Sequence, residues 1–181
     1  MPILATYSEL RSWGEQDVAK KAFTEARFAT RTARTTFLAH SSKDDDLVPG
    51  AILILENHGT KVYADHKDPT ITSSSLLEIA AHLRKVIREC GKFVMLATPR
   101  SKESKWIPWE LGLGDGIRQH PNIALFPSAE TALEMEWSQQ EYLGLYSRIV
   151  WGRIEGEEKE RWLVWDHNRN VASGLREWLS R

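Results

Sequence analysis

Four short apolar runs limit what this chain can become. Residues 35–40, 61–65, 93–97 and 122–126 are each bounded by turn formers or charged residues. Runs of this kind read as strands, and their continuity suits burial on both faces. Between them lie segments of helical period. The clearest is 76–90, where Leu76, Ile79, Ala80, Leu83, Val86 and Ile87 form one stripe before Cys90-Gly91 ends it. A helix over 44–57 is apolar along Leu47, Ala51, Ile54 and Leu55 and stops at His58-Gly59. The serines and aspartates of 41–46 are expected to cap it. Strands alternating with helices of this length require right-handed crossovers onto a parallel sheet.

The predicted fold class is therefore α/β, a flavodoxin-like parallel sheet with helices on both faces. An N-terminal helical extension is expected over 1–34, and the α/β domain over 35–181. In the extension, Ser12 and Glu15 have the spacing of a capping box. Val18, Ala22, Ala26, Ala29 and Ala33 would form the packed face. Lys20, Lys21, Arg27, Arg31 and Arg34 are spread around the other faces and diluted by Glu15, Asp17 and Glu25, which favours a solvated helix over a nucleic-acid-binding one. Beyond Phe126 the pattern loosens. A short helix within 129–141, strands over 147–154 and 161–165 (a hairpin, or an edge strand plus a loop) and a terminal helix over 172–179 are expected.

Several function classes are disfavoured. The net charge is −1, so neither nucleic acid nor an anionic membrane attracts the chain as a whole. Cys90 is the only cysteine, which rules out an internal disulfide, and the six histidines lack metal-ligand spacing, so no metal is expected. No run is long enough to span a membrane, and the start of the sequence lacks the parts of a signal peptide; a cytoplasmic protein is expected. The turn after the first strand has no glycine between His40 and Val48, and Asp44-Asp45-Asp46 would repel a pyrophosphate. A tightly held dinucleotide cofactor is not expected. Nor is there a Gly-x-Ser-x-Gly elbow or a local partner for Cys90.

One carboxylate remains well placed. Ser104-Lys105-Trp106-Ile107-Pro108-Trp109-Glu110-Leu111-Gly112 follows the apolar run 93–97 and a polar turn. Pro108 suits a first helical turn, so Glu110 falls at the mouth of a strand–helix crossover. Ligands of open parallel sheets bind at that edge. Glu110 could equally serve only to favour the positive end of the helix. If it is catalytic, cleavage of the N-glycosidic bond of NAD+ suits a lone carboxylate. Nicotinamide leaves as a neutral molecule from a ring that is already cationic, so the second, acidic group of ordinary glycosidases is dispensable. What is needed is a negative charge to stabilise the developing oxocarbenium ion.

Three segments in register resemble the successive motifs of the TIR (Toll/interleukin-1 receptor) domain family. They are Phe37-Leu38-Ala39-His40-Ser41-Ser42-Lys43-Asp44, then Gly59-Thr60-Lys61-Val62-Tyr63-Ala64-Asp65, then Ser101 and Ser104-Lys105-Trp106 with Glu110-Leu111. The match covers about 35–126. The resemblance implies NAD+ as substrate, without a bound cofactor, and Glu110 as the catalytic residue. It implies that Trp106, His40, Ser41, Ser42, Lys43 and Asp65 line the substrate site. His66, Lys67 and Asp68 would begin the loop through which TIR domains contact one another. It also implies a stand-alone bacterial protein of the antiphage-defence, Thoeris-like kind, making nicotinamide and ADP-ribose or a cyclic or modified ADP-ribose signal for a downstream effector. Ile107 stands where the family often has cysteine, and no glycine lies between Asp65 and Leu76. The alternatives are a non-enzymatic TIR interaction module and a nucleoside deoxyribosyltransferase-like enzyme. Nicotinamide release from NAD+ separates the first, and substrate competition the second.

Overall fold

The computed structural model describes residues 2–64, 75–134, 138 and 141–181. Eight strands share one sheet: β1 (Ala5–Thr6), β2 (Thr35–Ala39), β3 (Lys61–Tyr63), β4 (Lys92–Ala97), β5 (Ile123–Ala129), β6 (Ser147–Gly152), β7 (Arg161–Asp166) and β8 (Val171–Gly174). The helices among the described residues are α1 (Tyr7–Gly14), α2 (Asp17–Ala26), α3 (Val48–Asn57), α4 (Leu76–Glu89), α5 (Ile107–Arg118) and α6 (Leu175–Ser180). The order across the sheet is β3-β2-β4-β5-β6-β7-β8, with β1 paired to the end of β5. From β3 to β6 neighbouring strands are parallel. In chain order these strands follow the flavodoxin-like pattern expected from the sequence.

Alternation along the strands divides the core into two layers. Leu38, Val94, Leu96, Ala124 and Phe126 point to the side covered by α1, α2, α3 and α6. Phe37, Phe93, Met95, Ala97 and Leu125 point to the side covered by α4 and α5. Burial on both faces explains why these strands read as continuous apolar runs.

The N-terminal segment differs from expectation. Instead of one helix from Ser12, the chain forms β1 and then two short helices. The capping box is Thr6 with Glu9: Thr6 Oγ1 accepts from the Glu9 amide at 3.2 Å, and the Glu9 carboxylate accepts from the Thr6 amide at 2.8 Å. In α2 the buried face is Ala19, Ala22 and Ala26, while Val18 is exposed. Helix α3 begins at Val48, after a 3-10 turn over Ser42–Asp44, and has no side-chain cap; Asp44 is turned inward instead. The close α1–α3 approach requires Gly50, where an added Cβ would lie 2.1 Å from the Leu10 carbonyl oxygen.

The C-terminal part also adds to the expected pattern. β6 and β7 form the antiparallel hairpin, and Val171–Gly174 is an eighth strand beside β7, so the terminal helix starts only at Leu175. Ala129 closes β5 and a 3-10 segment occupies Glu141–Leu145, while residues 135–137, 139 and 140 of the helix expected within 129–141 lie outside the described residues.

Candidate active site

β2 and β4 are neighbours, but the chain leaves them in opposite directions across the sheet. β2 leads through α3 to β3, and β4 leads through α5 to β5. The gap between the two exits is the topological switch point, where open α/β sheets bind ligands. Both exit loops are held by side chains. Ser41 is buried, and its hydroxyl caps the 3-10 turn by accepting from the Lys43 amide at 3.3 Å. Across the gap, Thr98 Oγ1 donates to the fully buried Asp44 carboxylate at 2.8 Å. Ser101 Oγ accepts from the Thr98 amide at 2.7 Å, which folds the β4 exit back on itself. Arg100 Nη1 donates to the Lys43 carbonyl at 3.1 Å. The Lys43 ammonium pairs with Glu103, giving a further bridge between the loops at the surface.

The β4 exit then delivers α5. Ser104 Oγ lies 3.4 Å from the Ile107 amide and serves the first turn, Pro108 occupies the first turn where its missing N–H is not needed, and the Glu110 amide closes on the Trp106 carbonyl at 2.8 Å. Glu110 is only 8% exposed, and the positive end of the helix favours its negative charge. Trp106 is half-buried and meets Trp109 edge to face, with centroids 5.6 Å apart, while Arg84 of α4 lies over Trp109 at 5.4 Å. The two indoles and α4 thus brace the turn that carries Glu110.

The remaining expected site residues divide by environment. His40, at the end of β2, is buried; Nδ1 is 3.4 Å from the Leu38 carbonyl oxygen and Nε2 is 3.5 Å from Asp45. Ser42 and Lys43 are exposed at the rim. Asp65, His66, Lys67 and Asp68 lie outside the described residues. Sequence reasoning missed the roles of Asp44, Thr98 and Arg100, because their contacts join segments 54 or more residues apart. Ser101 belonged to a recognised motif, but nothing local marked it as the organiser of the β4 exit.

No protein-family model matches the chain. It is, however, 32% identical over 148 residues to a Bacillus cereus (strain MSX-D12) protein named "Probable 3' cyclic ADP-D-ribose synthase ThsB'", covering 80% of this chain and 75% of that one. The chain belongs to the Thoeris-like TIR family. The first and third TIR motifs thus fall on the structural features that define the crevice, the β2 exit, the β4 exit and the first turn of α5, while the second falls on β3 at the edge of the sheet. Among the described residues no three His, Cys, Asp or Glu side chains come together to hold a metal, and no helix is long and apolar enough to cross a membrane.

Proposed function

We propose that this TIR protein cleaves the nicotinamide–ribose bond of NAD+ and converts the remainder to a cyclic ADP-ribose signal in antiphage defence. The C1′–N bond breaks, and its electron pair leaves with neutral nicotinamide. Positive charge develops over C1′ and the ring oxygen. The Glu110 carboxylate stabilises that charge from the first turn of α5. A hydroxyl of the ADP-ribose then attacks C1′ and loses its proton; attack by water gives ADP-ribose instead. The relative's name supports cyclisation over hydrolysis. Trp106 walls the site, Ser42 and Lys43 meet the nucleotide at the β2 rim, and His40 and Ser41 hold that rim in shape. NAD+ is the substrate, and no resident cofactor takes part.

The observation that carries this reading is a nearly buried carboxylate in a first helical turn at the switch point, in a chain that shares 32% identity with a protein named a probable 3' cyclic ADP-D-ribose synthase. Incubation of the purified protein with NAD+, followed by mass spectrometry, tests it. A product with the mass of ADP-ribose minus water indicates cyclisation, and ADP-ribose itself indicates hydrolysis. Untouched NAD+ under activating conditions overturns the proposal.

We further propose that the protein works in the cytoplasm, that it self-associates through TIR–TIR contacts, and that its product is read by a separate effector. The exposed Leu76 and Leu77 at the start of α4 support the self-association, since paired exposed leucines suit a surface that another copy covers. Specific activity should then rise with protein concentration. A flat response across dilution, with sedimentation showing a monomer throughout, removes assembly from the mechanism.

A further inference from the structure

We propose that Asp44 is a positioning residue: its buried carboxylate ties the β2 exit to the β4 exit and thereby sets the spacing of the two walls of the nucleotide crevice. The proposal rests on the NAD+-cleaving function proposed above.

The three aspartates after β2 have different surroundings. Asp46 faces Arg11 at 2.7 Å near the surface, and Asp45 is exposed beside His40. Asp44 is fully buried. Its Oδ2 accepts the Thr98 hydroxyl proton. That hydroxyl also accepts from the backbone amides of Arg100 and Ser101, each at 3.1 Å, so its single proton is directed at Asp44. The other oxygen, Oδ1, is buried with no hydrogen-bond partner among the described residues. Arg100 Nη1 stands 3.9 Å from it, donates to the Lys43 carbonyl at 3.1 Å and also pairs with Asp46 Oδ1 at 3.5 Å. From α1, the buried Tyr7 hydroxyl lies beside Thr98 and Asp44, and its ring lies 4.9 Å from the Arg100 guanidinium.

A buried carboxylate with one unsatisfied oxygen is costly, and a neutral side chain would pack there more cheaply. What the charge adds is attraction across the gap. Ionised Asp44 draws Arg100 and Thr98 toward the β2 loop, where Arg100 also holds the Lys43 carbonyl. Burial opposes ionisation and pushes the Asp44 carboxyl up to about 6; the Thr98 hydrogen bond and Arg100 pull it down, Asp46 pushes it up, and His40 pulls it down slightly. Glu134 acts on the neighbouring Tyr7. Protonation of Asp44 removes the buried share of that attraction, leaving the more exposed Arg100–Asp46 and Lys43–Glu103 pairs, and so slackens the two loops and loosens the nucleotide rim at Ser42 and Lys43.

The test compares wild type with Asp44→Asn, which keeps the shape and an acceptor for Thr98 but cannot ionise. KM and kcat for NAD+ are measured from about pH 7.5 to about pH 5.5. Wild-type KM should rise several-fold as pH falls, with a smaller change in kcat. In Asp44→Asn, KM should be raised throughout and insensitive to pH. A variant that follows the wild-type KM profile overturns the proposal, because a group other than Asp44 then carries the titration. Amide hydrogen exchange, corrected for its intrinsic pH dependence, gives a readout independent of catalysis. Residues 41–46 and 98–103 should lose protection together in wild type at the lower pH, and show no pH response in Asp44→Asn. If wild type leaves NAD+ intact, the functional reading fails, and the exchange alone decides the clamp: coordinated loss of protection upholds it, and pH-independent exchange overturns it.

Discussion

Gly114→Ala tests whether the placement of Glu110 depends on how closely α5 lies against β4. A Cβ at position 114 would fall 2.8 Å from Phe93 Cδ2 and 3.0 Å from Cε2 and Cγ. Carbon atoms in favourable contact sit about 3.5–4.0 Å apart. The phenyl ring has no room to retreat. It stacks on Phe37 at 5.4 Å, Phe37 stacks on Tyr63 at 6.1 Å, and all three are buried. The helix must therefore move by on the order of 1 Å. Alanine improves helix propensity by about 1 kcal/mol, whereas overpacking a filled core costs about 1–3 kcal/mol. The net effect on stability is a loss of about 0–2 kcal/mol. The effect on rate is larger, because a displacement of about 1 Å at a catalytic group costs on the order of a hundredfold. Gly116 is the internal control: nothing among the described residues lies within 4 Å of a Cβ added there, so Gly116→Ala should gain stability and keep activity. Thermal unfolding and NAD+ turnover of both variants provide the assay, with Phe93→Leu expected to restore part of the activity of Gly114→Ala. The reasoning is refuted if Gly114→Ala melts higher than wild type and turns over NAD+ at the wild-type rate.

Other perturbations separate stability from function. Asp44 has a folded pKa raised from 3.8 to about 6, so its ionised form costs stability above that range, and the cost fades as pH falls through about 6 toward 3.8. Asp44→Asn should thus be more stable than wild type at neutral pH, by at most roughly 3 kcal/mol, with the gap closing in acid; denaturant unfolding at several pH values measures it. Trp106→Ala should cut activity and lower stability by about 1–3 kcal/mol, less than for a fully buried indole, because Trp106 is half-buried; an unchanged melting temperature with full activity would remove it from the site wall. Lys43→Ala should leave stability within about 0.5 kcal/mol, since both partners of the Lys43–Glu103 pair are more than half exposed, while KM for NAD+ rises; an unchanged KM would place the nucleotide elsewhere.

Much of the fold was legible because its signals are local. Strands buried on both faces must be apolar throughout, and the α4 stripe lies within 14 residues, although only Leu83, Val86 and Ile87 of it are buried and Leu76, expected in it, is exposed. Pro108 and the run before it were enough to place Glu110 in a first helical turn. The N-terminus shows where local signals fail. Thr6-Tyr7-Ser8-Glu9 and Ser12-Trp13-Gly14-Glu15 have the same capping spacing. The first pair won because Thr6 ends a strand that pairs with Ala129, a contact with no trace in the local sequence. β8 escaped notice for a similar reason: Val171-Ala172-Ser173-Gly174 has little strand character of its own and is held by its pairing with β7. At the site, Asp44-Asp45-Asp46 looks like a solvated cap. Only the distant Thr98 and Arg100 decide that Asp44 alone turns inward.

The most direct test of the central claim is nicotinamide release from NAD+ by Glu110→Gln. The substitution keeps the shape of a side chain that is 8% exposed and removes the charge proposed to stabilise the oxocarbenium ion. Loss of one such preorganised group is worth on the order of 3–4 kcal/mol. The account predicts a protein with wild-type circular dichroism and a rate lower by a few hundredfold or more. A folded Glu110→Gln protein that releases nicotinamide at the wild-type rate would contradict it.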